Sequence, residues 1–300
     1  MTRGRTTNGR PDTGPIERGA GGIPVRRIAI IAWHAGVLAG AALMLYPLLW
    51  MVVSSLRPEY QIPGNLSLWL AQAPLWENFA SGWNALARPF GVYVLNSTIV
   101  SIGAVVGNLI ACSMAGYAFA RLSFRGRRLG LGIVIATLLL PGYVTFVAQY
   151  VMFSKLGLVN TFVPLILPKF LAVDSFFVFM ITQFIRGIPR ELDDAARLDG
   201  CGYIRTFFSI IVPLIRAPLA TTAVFTFLWT WGDFFSQLVY LTKEDVKTAA
   251  VAIAAFADPD ASTEYGPMFA MALLTLAPIF IVFTLFQKQL VRGIASTGFK

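Results

Sequence analysis

Histidine is almost missing from this chain: His34 is the only one in 300 residues, and Cys112 and Cys201 are the only cysteines. So few residues, so widely spaced, offer neither metal-ligand spacing nor a disulfide framework. The patterns Gly-x-x-x-x-Gly-Lys-Ser/Thr, Gly-x-Ser-x-Gly and His-Glu-x-x-His are also absent, and no lysine follows a glycine. A P-loop nucleotide site of the usual kind, and hydrolytic or zinc chemistry, therefore have no visible constellation. Charge is scarce too. It occupies 13% of positions, against about 25% in an average soluble domain, and apolar residues reach 56%.

What is there is a series of long uncharged runs. A helix rises 1.5 Å per residue, so about 20 apolar residues cross a hydrocarbon core of about 30 Å. This predicts an all-α polytopic membrane protein with six spans, at about 28–53, 91–119, 129–153, 161–185, 207–239 and 267–290. Residues 1–27, rich in Gly, Arg, Thr and Pro, read as a disordered basic tail, and 28–300 as the membrane domain. The first run is longer than the roughly 7–15 apolar residues of a signal peptide and reads as an uncleaved helix.

Net charge is +9. The lysines and arginines cluster in the tail, at Arg121, Arg125, Arg127 and Arg128, around 186–216, and at Lys288, Arg292 and Lys300. Positive residues stay cytoplasmic, so both termini and the loop at about 186–206 are expected inside the cell. Topology and anionic lipid explain the basic excess, and no nucleic-acid role is needed.

One charged stretch interrupts the apolar chain: ELDDAARLDGCGYIRTFFSIIVP, residues 191–213. Pro189 suits a first helical turn, Glu191, Asp193 and Asp194 suit the positive end of the helix dipole, and Arg197 suits the other end. Gly200 can take the left-handed conformation that closes a helix. A helix over about 190–199 is too short to be stable alone and must lie against another surface. Ala195 and Ala196 form a small-residue patch for close approach.

The spacing Asp194-Ala195-Ala196, three residues, Gly200, nine residues, Ile210, one residue, Val212-Pro213 resembles the cytoplasmic loop of ABC importer permeases. Their pattern has Glu where this chain has Asp194 and Leu where it has Val212. The stretches LYPLLWMVVSSLRP (45–58), NSTIVSIGAVVGNLIACSMAGYAFARLSFRGRR (96–128), WTWGDFFSQL (229–238) and FQKQLVRGIASTGFK (286–300) are similar to carbohydrate permeases of the maltose-type second subunit.

The resemblance implies a non-enzymatic subunit of a prokaryotic plasma membrane, moving a sugar by alternating access. The implied partners are a second permease, a cytoplasmic ATPase dimer and an extracytoplasmic sugar-binding protein, besides membrane lipid. No cofactor is bound by the chain itself; ATP and Mg belong to the ATPase. The short helix becomes a coupling helix, with Asp194, Ala195, Ala196, Gly200 and Pro213 as motif residues and Glu191, Arg197 and Asp199 as rim contacts.

Charges at membrane depth cost roughly 2.5–3.5 kcal/mol each, so those within spans need partners or a wet cavity. Asn96, Lys169, Asp174, Trp231 and Asp233 are candidates for a substrate pathway, unless they lie near an interface where lipid headgroups reduce that penalty. His34 reads as a hydrogen-bonding residue between helices. Three other readings are weighed. An ion-coupled carrier would show more buried carboxylates, and a membrane-embedded transferase lacks a constellation. A permease for a polyol or glycerol phosphate stays open, because cargo rests on few side chains.

Overall fold

The computed structural model describes residues 25–70, 73–257 and 264–297. Among these all regular structure is helical. The helices are α1 (Val25–Ser54), α2 (Glu77–Asn84), α3 (Phe90–Arg121), α4 (Arg127–Leu138), α5 (Phe146–Lys155), α6 (Val163–Ile166) and α7 (Ser175–Arg186). They continue with α8 (Glu191–Leu198), α9 (Tyr203–Thr206), α10 (Val212–Leu214), α11 (Arg216–Trp231), α12 (Phe234–Tyr240), α13 (Ala249–Ala254) and α14 (Tyr265–Thr297). The chain divides into two compact units between Leu49 and Trp50. Most of the tail expected at 1–27 lies outside the described residues, although α1 already begins at Val25.

Four stretches are long and apolar enough to cross a bilayer: Ala29–Ser54, Phe90–Arg121, Val163–Arg186 and Tyr265–Gln287. A fifth follows if Tyr203–Leu214 and Arg216–Trp231 count as one span bent by 79°. The all-helical, multi-pass architecture is as expected, but two of the expected spans take another form. The stretch at 129–153 is two helices, α4 of 12 residues and α5 of 10, parted around Pro141. Proline disfavours helical backbone in the residue before it and clashes with the preceding turn, so α4 closes on tight turns at Leu139 and Leu140. The run expected at 207–239 starts at Tyr203, passes through a π-helical turn at Phe207–Ile211 and bends at Ile215. Pro218 has no N–H for the Leu214 carbonyl and crowds it, which gives the bend a local cause. The helix then ends at Trp231, and α12 is separate.

The stretch Val163–Arg186 is irregular at its centre. After α6 comes a 3-10 turn, Leu167–Leu171, then Ala172 in left-handed backbone (φ 54°), and α7 restarts at Ser175.

The unit from Trp50 onward is organised around α3, which packs chiefly against α7 and α11. Lipid tails are as apolar as leucine, so close van der Waals packing replaces the hydrophobic drive here. A row of glycines permits it. A Cβ at Gly103 would stand 2.8 Å from Ile166 Cδ1, one at Gly107 2.7 Å from Phe170 Cδ2, and one at Gly116 2.7 Å from Ile181 Cγ2. Beside them Cys112, Tyr117 and Ala120 of α3 join Phe177, Val178, Ile181 and Ile185 of α7 and Phe207, Ile211 and Ile215 in one buried cluster.

At the N-terminal end of α3 the connections are knotted by buried polar groups. Arg57 is fully buried, and its guanidinium donates to the carbonyls of Ser67 (2.7 Å) and Trp69 (2.9 Å). Asn78 donates to the carbonyls of Ser55 and Arg57, and the Glu59 carboxylate accepts from the backbone N–H groups of Tyr265 and Gly266, both at 3.1 Å. After Tyr240, where α12 ends, the chain continues as a loop. It packs onto α3, with the Ala249 N–H donating to Ser97 Oγ (3.0 Å) and α13 lying against α3 and α14.

Candidate functional site

Most of the candidate residues lie in two places. The first is α8. Its carboxyl end closes as a two-bond capping turn: Cys201 N–H donates to Ala196 O (2.8 Å) and Gly200 N–H to Arg197 O (3.0 Å), with Gly200 left-handed at φ 77°. That is the closure a glycine beyond a helix end makes without steric penalty. Pro189 stands two residues before the first helical residue, not within the first turn, and Arg190 is the N-cap. The helix is therefore Glu191–Leu198, slightly shorter than expected.

The two faces of α8 differ. Asp193 and Ala196, three residues apart, are buried. Glu191, Leu192, Asp194, Ala195, Leu198 and Asp199 are exposed, Leu198 to 90%. Of the alanine pair only Ala195 is thus open to a second surface. Arg197 lies 3.5 Å from Asp194 and its guanidinium sits 5.6 Å from the Tyr203 ring. Both charges are more than half exposed, so this pair contributes at most about 1 kcal/mol. Pro213 lies in α10, just before the 79° bend.

The buried face is held by a residue the sequence reading passed over. Arg121, last in α3, places Nε 2.9 Å from Asp193 Oδ2, with side chains only 6% and 11% exposed. Its Nη2 donates to Ile188 O (2.7 Å), in the connection leading to α8. One turn earlier the Tyr117 hydroxyl donates to Tyr203 O (3.4 Å). A small cavity of about 330 Å³ remains between these groups, lined also by Arg190 and Arg197. No local pattern links residue 121 to residue 193; only the fold does.

The second place is a cavity of about 1200 Å³, walled by α4 and α5, by residues 164–175 and by 228–240. Lys169, Asp174 and Asp233 all line it, as do Gln149, Trp229 and Gln237. Lys169 Nζ lies 2.8 Å from Asp174 Oδ2, bridging the break at Ala172. The same oxygen accepts from Asn108 Nδ2 (2.5 Å), which also donates to Thr226 Oγ1 (2.9 Å). One amide thus joins α3, the start of α7 and α11 at the cavity wall. Asp233 caps α12, accepting from Ser236 N–H (3.0 Å). Trp229 is 54% exposed and faces this space.

Asn96 and Trp231 stand elsewhere. Asn96 is buried, donating to the carbonyls of Asp245 (2.9 Å) and Lys247 (2.8 Å), and Trp231 is buried with its indole N–H on Thr275 O (3.0 Å). His34 Nδ1 lies 2.7 Å from Ile30 O, a bond within its own helix. No group of three or more His, Cys, Asp or Glu able to hold a metal occurs among the described residues.

A multi-pass helical chain with an open cavity that Lys169, Asp174 and Asp233 line, and a short, solvent-facing charged helix, fits the class of membrane transport subunits. Comparison with known proteins makes this specific. The family model described as "Binding-protein-dependent transport system inner membrane component" matches residues 103–296. The chain is 30% identical over 278 residues to the diacetylchitobiose uptake system permease protein NgcG of Streptomyces coelicolor, covering 92% of this chain and 90% of that protein. It is 28% identical over 277 residues to the sn-glycerol-3-phosphate transport system permease protein UgpE of Yersinia pestis, covering 91% of this chain and 98% of the other. A chain in the crystal structure of a bacterial ABC transporter that imports the acidic polysaccharide alginate shares the fold, with TM-score 0.78 over 90% of this chain and 99% of that one, at 19% identity. The chain belongs to the family of binding-protein-dependent inner membrane components: it is the permease of an ABC importer, of the maltose-type second-subunit branch, and a non-catalytic subunit.

Proposed function

We propose that this chain carries an oligosaccharide across the inner membrane, with α8 as its coupling helix on a cytoplasmic ATPase. In this reading residues 28–300 form the permease domain and both termini face the cytoplasm. The membrane is crossed six times, the third crossing being the interrupted pair α4 and α5. Ala195 and Leu198 meet the ATPase, Leu192 supports them, and Glu191, Asp194, Arg197 and Asp199 rim the contact. The left-handed turn at Gly200 and the bend beyond Pro213 turn motion of α8 into reorientation of α11. A second permease closes the open cavity, and Lys169, Asp174, Asp233 and Trp229 line the passage that alternates between the two sides. A binding protein delivers the cargo from outside.

One observation carries this proposal: α8 is closed at its carboxyl end and buried on one face, yet leaves Leu192, Ala195 and Leu198 uncovered. These three side chains stand at i, i+3 and i+6 on one side of the helix, and a contiguous exposed apolar stripe, unlike a lone apolar residue, reads as a contact awaiting a partner. The cargo class is supported by the saccharides named for NgcG and for the alginate transporter. The glycerol phosphate named for UgpE is the competing case.

The assembled transporter, reconstituted with its binding protein, tests both parts. ATP hydrolysis stimulated by diacetylchitobiose or another oligosaccharide and not by glycerol phosphate supports the reading. Stimulation by glycerol phosphate alone replaces the cargo, and ATP-independent uptake overturns the mechanism.

A further inference from the structure

We propose that the buried Arg121–Asp193 pair is the strut through which movement of α8 reaches the cavity wall, making both side chains positioning residues for transport. The inference rests on the reading of α8 as the ATPase contact. Its starting point is that the last two turns of α3 hold both α8 and its two connections. Those turns grip the chain at three points: before α8 at Ile188 O, within it at Asp193, and after it at Tyr203 O. A load on α8 therefore enters α3.

The helix that receives the load is suited to carry it. Each of the other four span-length stretches contains proline, at 47, at 164 and 168, at 213 and 218, or at 267 and 278; α3 contains none over its 32 residues. It is helical without interruption from Phe90 to Arg121, and 32 residues make a rod about 48 Å long. Thirteen residues from Arg121, or about 20 Å along that rod, stands Asn108. Its amide holds Asp174 and Thr226, at the backbone break beside Ala172 and on α11. Two polar contacts on one rigid helix thus connect the exposed helix with the interrupted wall of the cavity. A buried ion pair suits such a joint, because removing either partner leaves the other charge buried and unpaired.

The test uses the complete transporter, with both permeases and the ATPase, in detergent or liposomes. Gln149→Cys, in a background with Cys112→Ser and Cys201→Ser, reports cavity access through its rate of maleimide labelling, measured without nucleotide and with a non-hydrolysable ATP analogue. In the parent protein the nucleotide changes the rate by fivefold or more, the lower range of allosteric couplings. Arg121→Gln and Asp193→Asn bring that ratio close to one while the ATPase still co-purifies. The exchanged pair, Arg121→Asp with Asp193→Arg, recovers it, and Arg121→Lys retains part of it. Neutral variants that keep the parent ratio overturn the strut, as does an assembled exchanged pair that stays at one. Should the neutral variants fail to assemble, Arg121→Lys and the exchanged pair decide alone, by the same ratios. A parent protein without any nucleotide response refutes the reading of α8 itself, which separates the two failures.

Discussion

The helix α3 and the stretches that wall the cavity are built in opposite ways. The former is 32 residues of unbroken helix, whereas the latter are interrupted near Pro141, at Ala172 and at Ile215. Non-helical backbone at membrane depth is tolerated only where it is buried in protein or lines a polar space. Two of the three interruptions, Pro141 and Ala172, are themselves cavity-lining residues. On the proposed function the difference is a division of labour: a stiff element for transmission beside hinged elements that shape a passage. The polar groups are divided in the same way. Those of α3 turn inward, Arg121 as the ion-pair partner of Asp193 and Asn108 as the donor to Asp174 and Thr226, while Trp229, Lys169 and Gln149 face open space.

The largest expected effect strikes the transmission side. Gly200→Pro cannot adopt φ 77° and deletes the N–H that closes α8, destabilising the turn by about 3 kcal/mol or more. Immunoblots of membranes should show normal insertion, while uptake per ATP hydrolysed in liposomes falls to background; unchanged coupling would remove α8 from the mechanism. Next comes Gly107→Val, which drives side-chain atoms into Phe170 and the Lys169 backbone where α3 meets the hinged stretch. Overpacking of this kind costs typically 1–3 kcal/mol, read as a lower unfolding temperature in detergent.

On the passage side, Asp233 offers a sharper division. Asp233→Ala removes the cap of α12 and costs about 1 kcal/mol, whereas Asp233→Asn keeps an acceptor for Ser236 N–H. If the carboxylate serves cargo as well, Asn restores stability but not transport rate. Recovery of both by Asn would leave it only a capping role. The smallest effect is a gain. Ala172→Gly relieves a left-handed alanine and should raise stability by about 1 kcal/mol in the same melting assay, and a loss would mean that the Ala172 methyl group packs usefully.

Much of this architecture is written locally in the chain. The short helix, its acidic start and its glycine stop follow from residues 189–200 alone, since caps act within one turn. Lys169, Asp174 and Asp233 stand out because charge is rare in apolar surroundings, and all three reach one cavity. Asn96 and Trp231 also stand out, as side chains able to hydrogen-bond in apolar runs, yet both are buried on backbone carbonyls and neither lines that cavity. Their acceptors at 245, 247 and 275 are distant in sequence, so composition alone cannot separate them from pathway residues. The Arg121–Asp193 contact was hidden likewise, behind an arginine that topology already explained. The break at Ala172 had no signal at all, because alanine is the strongest helix former.

The most direct measurement places a photo-crosslinking amino acid at Ala195 or Leu198 in the complete transporter, with the same probe on the buried side at Ala196 as control. The account predicts that the two exposed positions capture the ATPase subunit and that Ala196 captures only this chain. Capture of the extracytoplasmic binding protein, or of nothing but lipid, from Ala195 and Leu198 would contradict it.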